Sequence, residues 1–276
     1  MVRVTAGAVG APCWLSLTAR DLLAAGRFYS AVLGWTFRPD GPGNTISVAE
    51  LEGVPVAGIG SLPGAPAAWT VYFAVDDADA AAARIRERGG TVGLGPLSYP
   101  PRGRGALAAD LEGAVFGIWE GRVLDGWRVG DGAAPAWLEL HTRNAFDAAV
   151  FYGEVLEWVN EDDAGRCEVA YEEDRVVLRH DGRAVARLNS GPVERATEKP
   201  QLRPRWLVHF EVPDLEAAEA AAVEHGGTVI TDGLWPSSGQ QVTVRDPDGA
   251  LFTLDRSPSV PRRTAPSSRR DGTEIP

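Results

Sequence analysis

The sequence predicts an α+β protein built from tandem paired βαβββ units, which form two curled mixed sheets with helices outside them. Three observations carry the prediction. First, Trp14–Trp35 (WLSLTARDLLAAGRFYSAVLGW) and Trp137–Trp158 (WLELHTRNAFDAAVFYGEVLEW) align without a gap, with Phe28-Tyr29 on Phe151-Tyr152. Second, each is followed by a matching segment, TVYFAVDDADAAAARIRERGGTV from Thr70 and LVHFEVPDLEAAEAAAVEHGGTV from Leu207. A repeat this long is a duplicated module and not a solenoid period. Third, in each segment the apolar period switches from two to about 3.6, which marks a strand running into a helix.

The elements follow in order. Residues 1–12 read as a loose lead-in. Strand 14–19 leads to helix 21–33, with Asp21 at its start and Gly34 as its stop. Short alternating runs at Thr45–Val48 and Val54–Ile59, broken by Gly and Pro, read as hairpin strands, and Gly60–Ala68 as a linker. Strand Thr70–Val75 precedes a helix capped by Asp76-Asp77 and ended by Gly89-Gly90. Thr91-Val92 follows, then a Pro- and Gly-rich flexible loop from Leu94 to Gly105, then strands Ala106–Asp110 and Ala114–Trp119.

Residues 13–120 thus form a first module, 121–135 a linker and 136–256 a second module, closing on RDPDGALFTLDR as the first closes on ADLEGAVFGIWE. In the second module Asn144 is the N-cap of the first helix. Residues 257–276, rich in Pro, Ser and Arg, read as a disordered tail.

Composition excludes several functions. The chain has 276 residues, 44% hydrophobic and 24% charged, as in a globular protein of two ordinary domains. A net charge of −11 provides no basic field for nucleic acid. No run reaches membrane-spanning length, and the start lacks a signal-peptide core. Cys13 and Cys167 are single and far apart, so a disulfide framework is not expected and a reducing cytoplasm fits. A monomer or homodimer with a small-molecule ligand is the expected assembly.

These features resemble the vicinal oxygen chelate superfamily, the glyoxalase, bleomycin-resistance and extradiol-dioxygenase group. The resemblance rests on DLLAAGRFYSAVLGW and RNAFDAAVFYGEVLEW, on VDDADAAAARIRERGG and VPDLEAAEAAAVEHGG, and on the closing DPDGALFTL. It covers nearly all of the folded part, and the two-module, Trp-rich form looks like an actinobacterial type. It implies that each pair of units closes one concave cup, and that metal-using members hold a divalent ion there with His or Glu. Carried onto this chain, those ligand positions fall on Trp14 and Thr70, near Gly58, and on Gly117 in the first module. In the second they fall on Trp137 and Leu207, near Arg187, and on Thr253. None is an ordinary ligand for a hard divalent ion, so no metal and no other cofactor is expected.

Strand parity puts the remaining candidates on the cup faces. Glu139 and His209 lie two residues past the ligand positions of their strands, with His141 and Glu211 two further on. Ser16, Thr18, Tyr72 and Ala74 are the first-module equivalents. Glu139 and His209 are the candidate catalytic acid/base pair, and with His141 they could hold a shifted divalent metal. Arg187 is a candidate anion clamp. The first alternative to a functional role is that Glu139, His209 and Arg187 simply satisfy one another as a buried polar cluster. Trp14, Tyr72, Trp137, His141, Arg187 and Glu211 are candidate ligand-binding residues, with the two indoles suited to stacking a flat molecule.

Trp69 and Trp206 have the parity of the apolar face and are expected in the core. The stretches Ser98–Pro101 and Trp235–Ser238 are candidate covers of the cup mouths. His180 is expected in a solvated turn, and His225 at a helix end.

Two functional readings stand. One is a metal-independent binder of a small aromatic or amphipathic metabolite. The other is an enzyme, a lyase, isomerase or oxygenase relative, that uses Glu139, His141 and His209 as ligands or acid/base groups. A vestigial, purely structural role for the cups is a third. The sequence leaves open whether the units pair one-with-two or one-with-four.

Overall fold

The computed structural model describes residues 4–40, 45–61, 64–132, 134–158, 167–172, 175–193, 203–230 and 240–257. The first module contains β1 (Val4–Ala6), β2 (Pro12–Ala19), α1 (Leu22–Leu33), β3 (Thr36–Pro39), β4 (Ile46–Leu51) and β5 (Val54–Ser61). Its second unit adds β6 (Ala68–Ala74), α2 (Ala78–Glu87), β7 (Thr91–Tyr99), β8 (Gly103–Ala109) and β9 (Val115–Leu124). The second module repeats the pattern. It has β10 (Trp137–Thr142), α3 (Ala145–Leu156), β11 (Glu168–Glu172), β12 (Arg175–His180) and β13 (Arg183–Ser190), then β14 (Arg205–Val212), α4 (Leu215–Glu224), β15 (Thr228–Ile230), β16 (Gln241–Arg245) and β17 (Leu251–Arg256).

Each module is one mixed sheet, ordered β3-β4-β5-β2-β6-β9-β8-β7 in the first and β11-β12-β13-β10-β14-β17-β16-β15 in the second. The opening strands of the two units lie antiparallel at the centre, β2 on β6 and β10 on β14. Units therefore pair one-with-two and three-with-four. α1, α2 and α3 start where their sequences predict, with Asp21, Asp77 and Asn144 accepting backbone N–H bonds of the first turn, and Asp214 does the same for α4 by accepting from Ala217.

Two stretches differ from expectation. Leu94–Gly105 is no loop but the hairpin of β7 and β8. β7 is an edge strand with two register shifts, and an edge tolerates the Gly and Pro that obscure it in the sequence. The lead-in contributes β1, which pairs with an extension of β9 to Leu124. The expected tail beyond Ser257 and the stretch Trp235–Ser238 lie outside the described residues. Among the described residues no helix is long and apolar enough to cross a membrane, and Cys13 and Cys167 are free and buried.

The apolar faces of the two sheets share one core. Trp35 meets Phe210 edge-on at 5.1 Å, Phe73 meets Trp206 at 5.3 Å, and Phe116 meets Tyr152 at 5.1 Å. Helices pack across the modules, α1 on α4 and α2 on α3, so the two cups face away from each other.

Two equivalent hydrogen-bond chains cross this junction. Trp69 Nε1 donates to the Tyr29 hydroxyl (3.0 Å), which donates to Asp246 of the other module (2.9 Å). Trp206 Nε1 donates to the Tyr152 hydroxyl (2.9 Å), which donates to Asp110 (3.0 Å). The second oxygen of each aspartate holds its own turn: Asp110 accepts from Glu112 and Ala114, and Asp246 from Asp248, Gly249 and Ala250. Burial pushes both carboxyls up from the ordinary value, although these donors favour the charged form.

Gly90 and Gly227 complete the junction. A Cβ on Gly90 would lie 2.9 Å from the Phe151 ring and 2.8 Å from the Ala109 carbonyl; on Gly227 it would lie 2.9 Å from the Phe28 ring and 2.9 Å from the Ala222 carbonyl.

Tyr152→Phe leaves a buried carboxylate and an indole short of a partner, so it lowers the unfolding free energy by about 2 kcal/mol in urea denaturation. Gly227→Ala costs about 1–3 kcal/mol by overpacking, whereas alanine at the open Gly153 position does not destabilise.

Candidate functional site

The first cup is aromatic. Parity along β2 and β6 turns Trp14 and Tyr72 onto the concave face, while Leu15, Leu17, Val71 and Phe73 enter the core. Each ring lies over a glycine of the neighbouring strand. A Cβ on Gly58 would lie 3.2 Å from Trp14 Nε1, and one on Gly117 2.3 Å from the Tyr72 ring. Trp119, on the same face of β9, covers Gly105, where a Cβ would lie 3.0 Å from the indole.

Tyr99 lies 5.9 Å from Trp119 between ring centroids, and Trp127 lies 5.8 Å from Trp14. Burial raises the Tyr72 phenol, partly offset by the Ser16 hydroxyl. Residues of this parity along β2, β5, β6, β8 and β9 include no acid or base. At the rim, Arg102 of the β7–β8 turn clasps Asp40, beyond β3, with two bonds of 2.7 and 3.0 Å. β3 and β7 are opposite ends of the sheet order, so this pair joins the two ends of the curl.

The second cup is charged. His209 bridges two carboxylates: its Nε2 is 3.0 Å from Glu139 Oε2, and its Nδ1 is 3.2 Å from Asp255. His141 Nε2 lies 3.3 Å from the same Glu139 oxygen. The Asn189 side-chain amide donates to Glu139, and Trp137 Nε1 donates to Asp255 at 3.1 Å. The Trp137 ring meets His209 edge-on at 5.0 Å, and the Arg187 guanidinium sits 3.8 Å above the Trp137 ring.

Burial works against the charged form of every member. For Glu139 the bonds from His141 and His209 outweigh it and hold the carboxyl well below the usual range. For His209 the bonds to Asp255 and Glu139 outweigh it, and the imidazole is raised. For His141 burial prevails over Glu139 and the imidazole is lowered. The network therefore favours the charged form of His209, between two carboxylates, and the neutral form of His141 beside it.

Of the residues singled out in the sequence, Glu139, His141 and His209 are brought together, with Trp137 and Arg187 against them. Trp14 and Tyr72 form the wall of the other cup. Glu211 stands apart at the exposed end of β14, where it accepts from Ser257 at 3.3 Å. Arg187 sits over the indole face of Trp137, and the charge of Glu139, opposite it on β10, still acts on it. Trp69 and Trp206 are core residues, as their parity implies. His225 caps α4, and His180 ends β12 beside the turn.

Parity reasoning missed Asn189, Asp255 and Trp119. Each lies two residues beyond a position it did consider, namely Arg187, Thr253 and Gly117, so the same alternation carried one step further finds all three.

The family's metal positions do not fit a divalent ion here. Trp14 and Tyr72 cover Gly58 and Gly117, Thr253 is hydrogen-bonded to Thr243 at 3.1 Å, Leu207 is buried, and Arg187 is a cation. The shifted set fits no better, because both His209 nitrogens are already directed at carboxylates, Nε2 at Glu139 and Nδ1 at Asp255. Among the described residues no group of three or more His, Cys, Asp or Glu is arranged to hold a metal. A cavity of about 240 Å³ lies outside both cups, lined in part by Cys13, Trp127, Arg128, His180 and Asp181. Its lining contains the Arg128–Asp181 ion pair at 3.0 Å, and of the aromatic rings named for the cups it touches Trp127 alone.

In an NMR titration, the His209 ring titrates above the ordinary 6.5 and the His141 ring below it. The stability from His209 is complete below the ordinary imidazole value and is lost as pH rises through the raised one. That from Glu139 is complete above the ordinary carboxyl value and is lost as pH falls. Glu139→Gln lowers the His209 value and costs roughly 3 kcal/mol at neutral pH.

Comparison with known proteins agrees with this architecture. A family model described as "Glyoxalase-like domain" matches residues 14–119 and again 137–254. "Anthracycline biosynthesis protein DauV" of Streptomyces sp. (strain C5) is 32% identical over 271 residues, covering 91% of this chain and 94% of that protein. "Putative glyoxylase CFP32" of Mycobacterium tuberculosis (strain CDC 1551 / Oshkosh) is 31% identical over 255 residues, covering 89% and 94%. Among solved structures, the Mn(II)-bound glyoxalase from Novosphingobium aromaticivorans superposes with a TM-score of 0.55 at 17% identity, covering 90% of this chain and 82% of that one. A catechol 2,3-dioxygenase superposes with 0.54 at 16% identity, covering 91% and 90%. At those identities the structures speak to the fold alone, but the double match of the family model spans most of the chain. The protein belongs to the glyoxalase-like family of the vicinal oxygen chelate superfamily, with the family domain present twice.

Proposed function

We propose that this protein binds a planar aromatic or amphipathic metabolite in its first cup, without a metal. The observation that carries the reading is the set of three rings, Trp14, Tyr72 and Trp119, lying over Gly58, Gly117 and Gly105. A side chain at any of these glycines would displace a ring, so the glycines keep the aromatic faces flat against the sheet. Flat, uncharged π-surfaces suit offset stacking with a fused-ring ligand. Anthracyclines are fused-ring aromatics, so the relatives named for anthracycline biosynthesis support the same ligand class.

A second reading, favoured by the carboxylate–imidazole–carboxylate chain, makes the second cup an acid/base centre. His209 is 1% exposed, whereas the Glu139 and His141 side chains are 13% and 12% exposed. The Asp255 side chain is 19% exposed, so Glu139, His141 and Asp255 could touch a substrate, with His209 positioning the two carboxylates. A carboxylate held so far below its usual range is a weak base, which ranks this reading second.

A planar anthraquinone probe should quench tryptophan fluorescence saturably, and Trp14→Ala or Gly117→Ala should weaken its binding about tenfold. Absence of saturable quenching would reject the first reading. Protein purified without chelator should carry less than stoichiometric divalent metal by elemental analysis, and a stoichiometric ion would reject the metal-free form.

A further inference from the structure

The second cup contains a cation that neither reading uses. Arg205 opens β14 opposite His141 of β10, with the cup parity of His209. Its Nε donates to the Arg203 carbonyl at 3.1 Å, and its side chain is half-buried. Arg245 stands at the same end of the sheet, on β16 opposite Leu251 of β17, the strand that pairs with β14. It shares the face of Thr243, whose hydroxyl meets Thr253 inside the cup.

Arg38, Arg102, Arg104, Arg128 and Arg183 each meet an acidic side chain. Arg205 meets none among the described residues. Burial, and after it the charges of Arg203 and Arg245, pull its pKa down to about 10. In a chain with 38 acidic and 27 basic residues, an acidic partner would be easy to supply. The nearby cup carboxylates, Glu139 and Asp255, are committed to His209. The neighbouring imidazole, His141, is neutral and adds no charge. A guanidinium taken partly out of water with no carboxylate against it is costly unless an anion completes it.

We infer that this end of the second cup binds the oxyanion of a small ligand, a carboxylate or a phosphate, with the Arg205 guanidinium as its direct partner. The planar fork of arginine matches both groups with two parallel N–H bonds. An anchored acid would place its neighbouring atoms towards His141 and Glu139, deeper in the cup. The site lies in the other module from the aromatic rings and does not depend on them.

The test uses the full-length protein with benzoate, its neutral counterpart benzamide, and inorganic phosphate, followed by calorimetry and thermal shift. Benzoate or phosphate should bind and raise the melting temperature while benzamide does neither. The anion that binds more tightly identifies the group. Arg205→Gln should weaken that binding at least about tenfold, and Gly153→Ala, at an open helix position, should leave it unchanged. Failure of both anions to bind, or undiminished binding in folded Arg205→Gln, overturns the inference. Should Arg205→Gln not fold, the His141 ring signals of the unaltered protein decide: a shift on adding the anion but not benzamide supports the site, and no shift overturns it.

Discussion

The structure depends on two buried chains, Trp69–Tyr29–Asp246 and Trp206–Tyr152–Asp110, in which a helix of one module is tied to the closing turn of the other. Each aspartate satisfies backbone N–H groups with one oxygen and a tyrosine with the other, so neither the turn nor the junction forms properly without it. A buried carboxylate is costly, and these donors offset that cost only when both modules are in place. The junction thereby selects one mutual placement, which a merely greasy contact would not do. Phe28 and Phe151 add shape to charge by resting where Gly227 and Gly90 have no side chain.

That arrangement accounts for what the repeats conserve between the two halves of the chain. The shared Phe-Tyr pairs, the closing Trp35 and Trp158, the Gly-Gly pairs and the closing-turn aspartates all belong to the junction or its core. The cup faces differ at nearly every equivalent place: Ser16 against Glu139, Tyr72 against His209, Gly58 against Arg187. One hollow became a surface of rings on glycine, the other a network of charges in which His209 holds two carboxylates.

Much of this was legible in the sequence. Period and repeat located all four helices and the central strands, and parity separated Trp69 and Trp206 from Trp14 and Trp137. Parity also brought Glu139 and His209 to one face. The β7–β8 hairpin was hidden because its Pro and Gly are the residues of a loop, and only the tolerance of a sheet edge permits them there. The role of Arg187 was not legible, because a long side chain reaches several partners and parity gives only its face. Asp255 and Asn189 escaped because attention stopped at the family's ligand positions. That Asp110 and Asp246 serve the opposite module could not be read at all, since nothing local distinguishes a turn aspartate that bonds its own backbone from one that also reaches across.

The outward-facing cups have an evolutionary corollary. Residues that specify how the halves dock sit on the convex sides, and residues that meet a guest sit on the concave ones. Following duplication, either basin could therefore change its chemistry by ordinary drift without loosening the joint, and the contrast between an indole-paved hollow and an ionised one is the kind of record such freedom leaves.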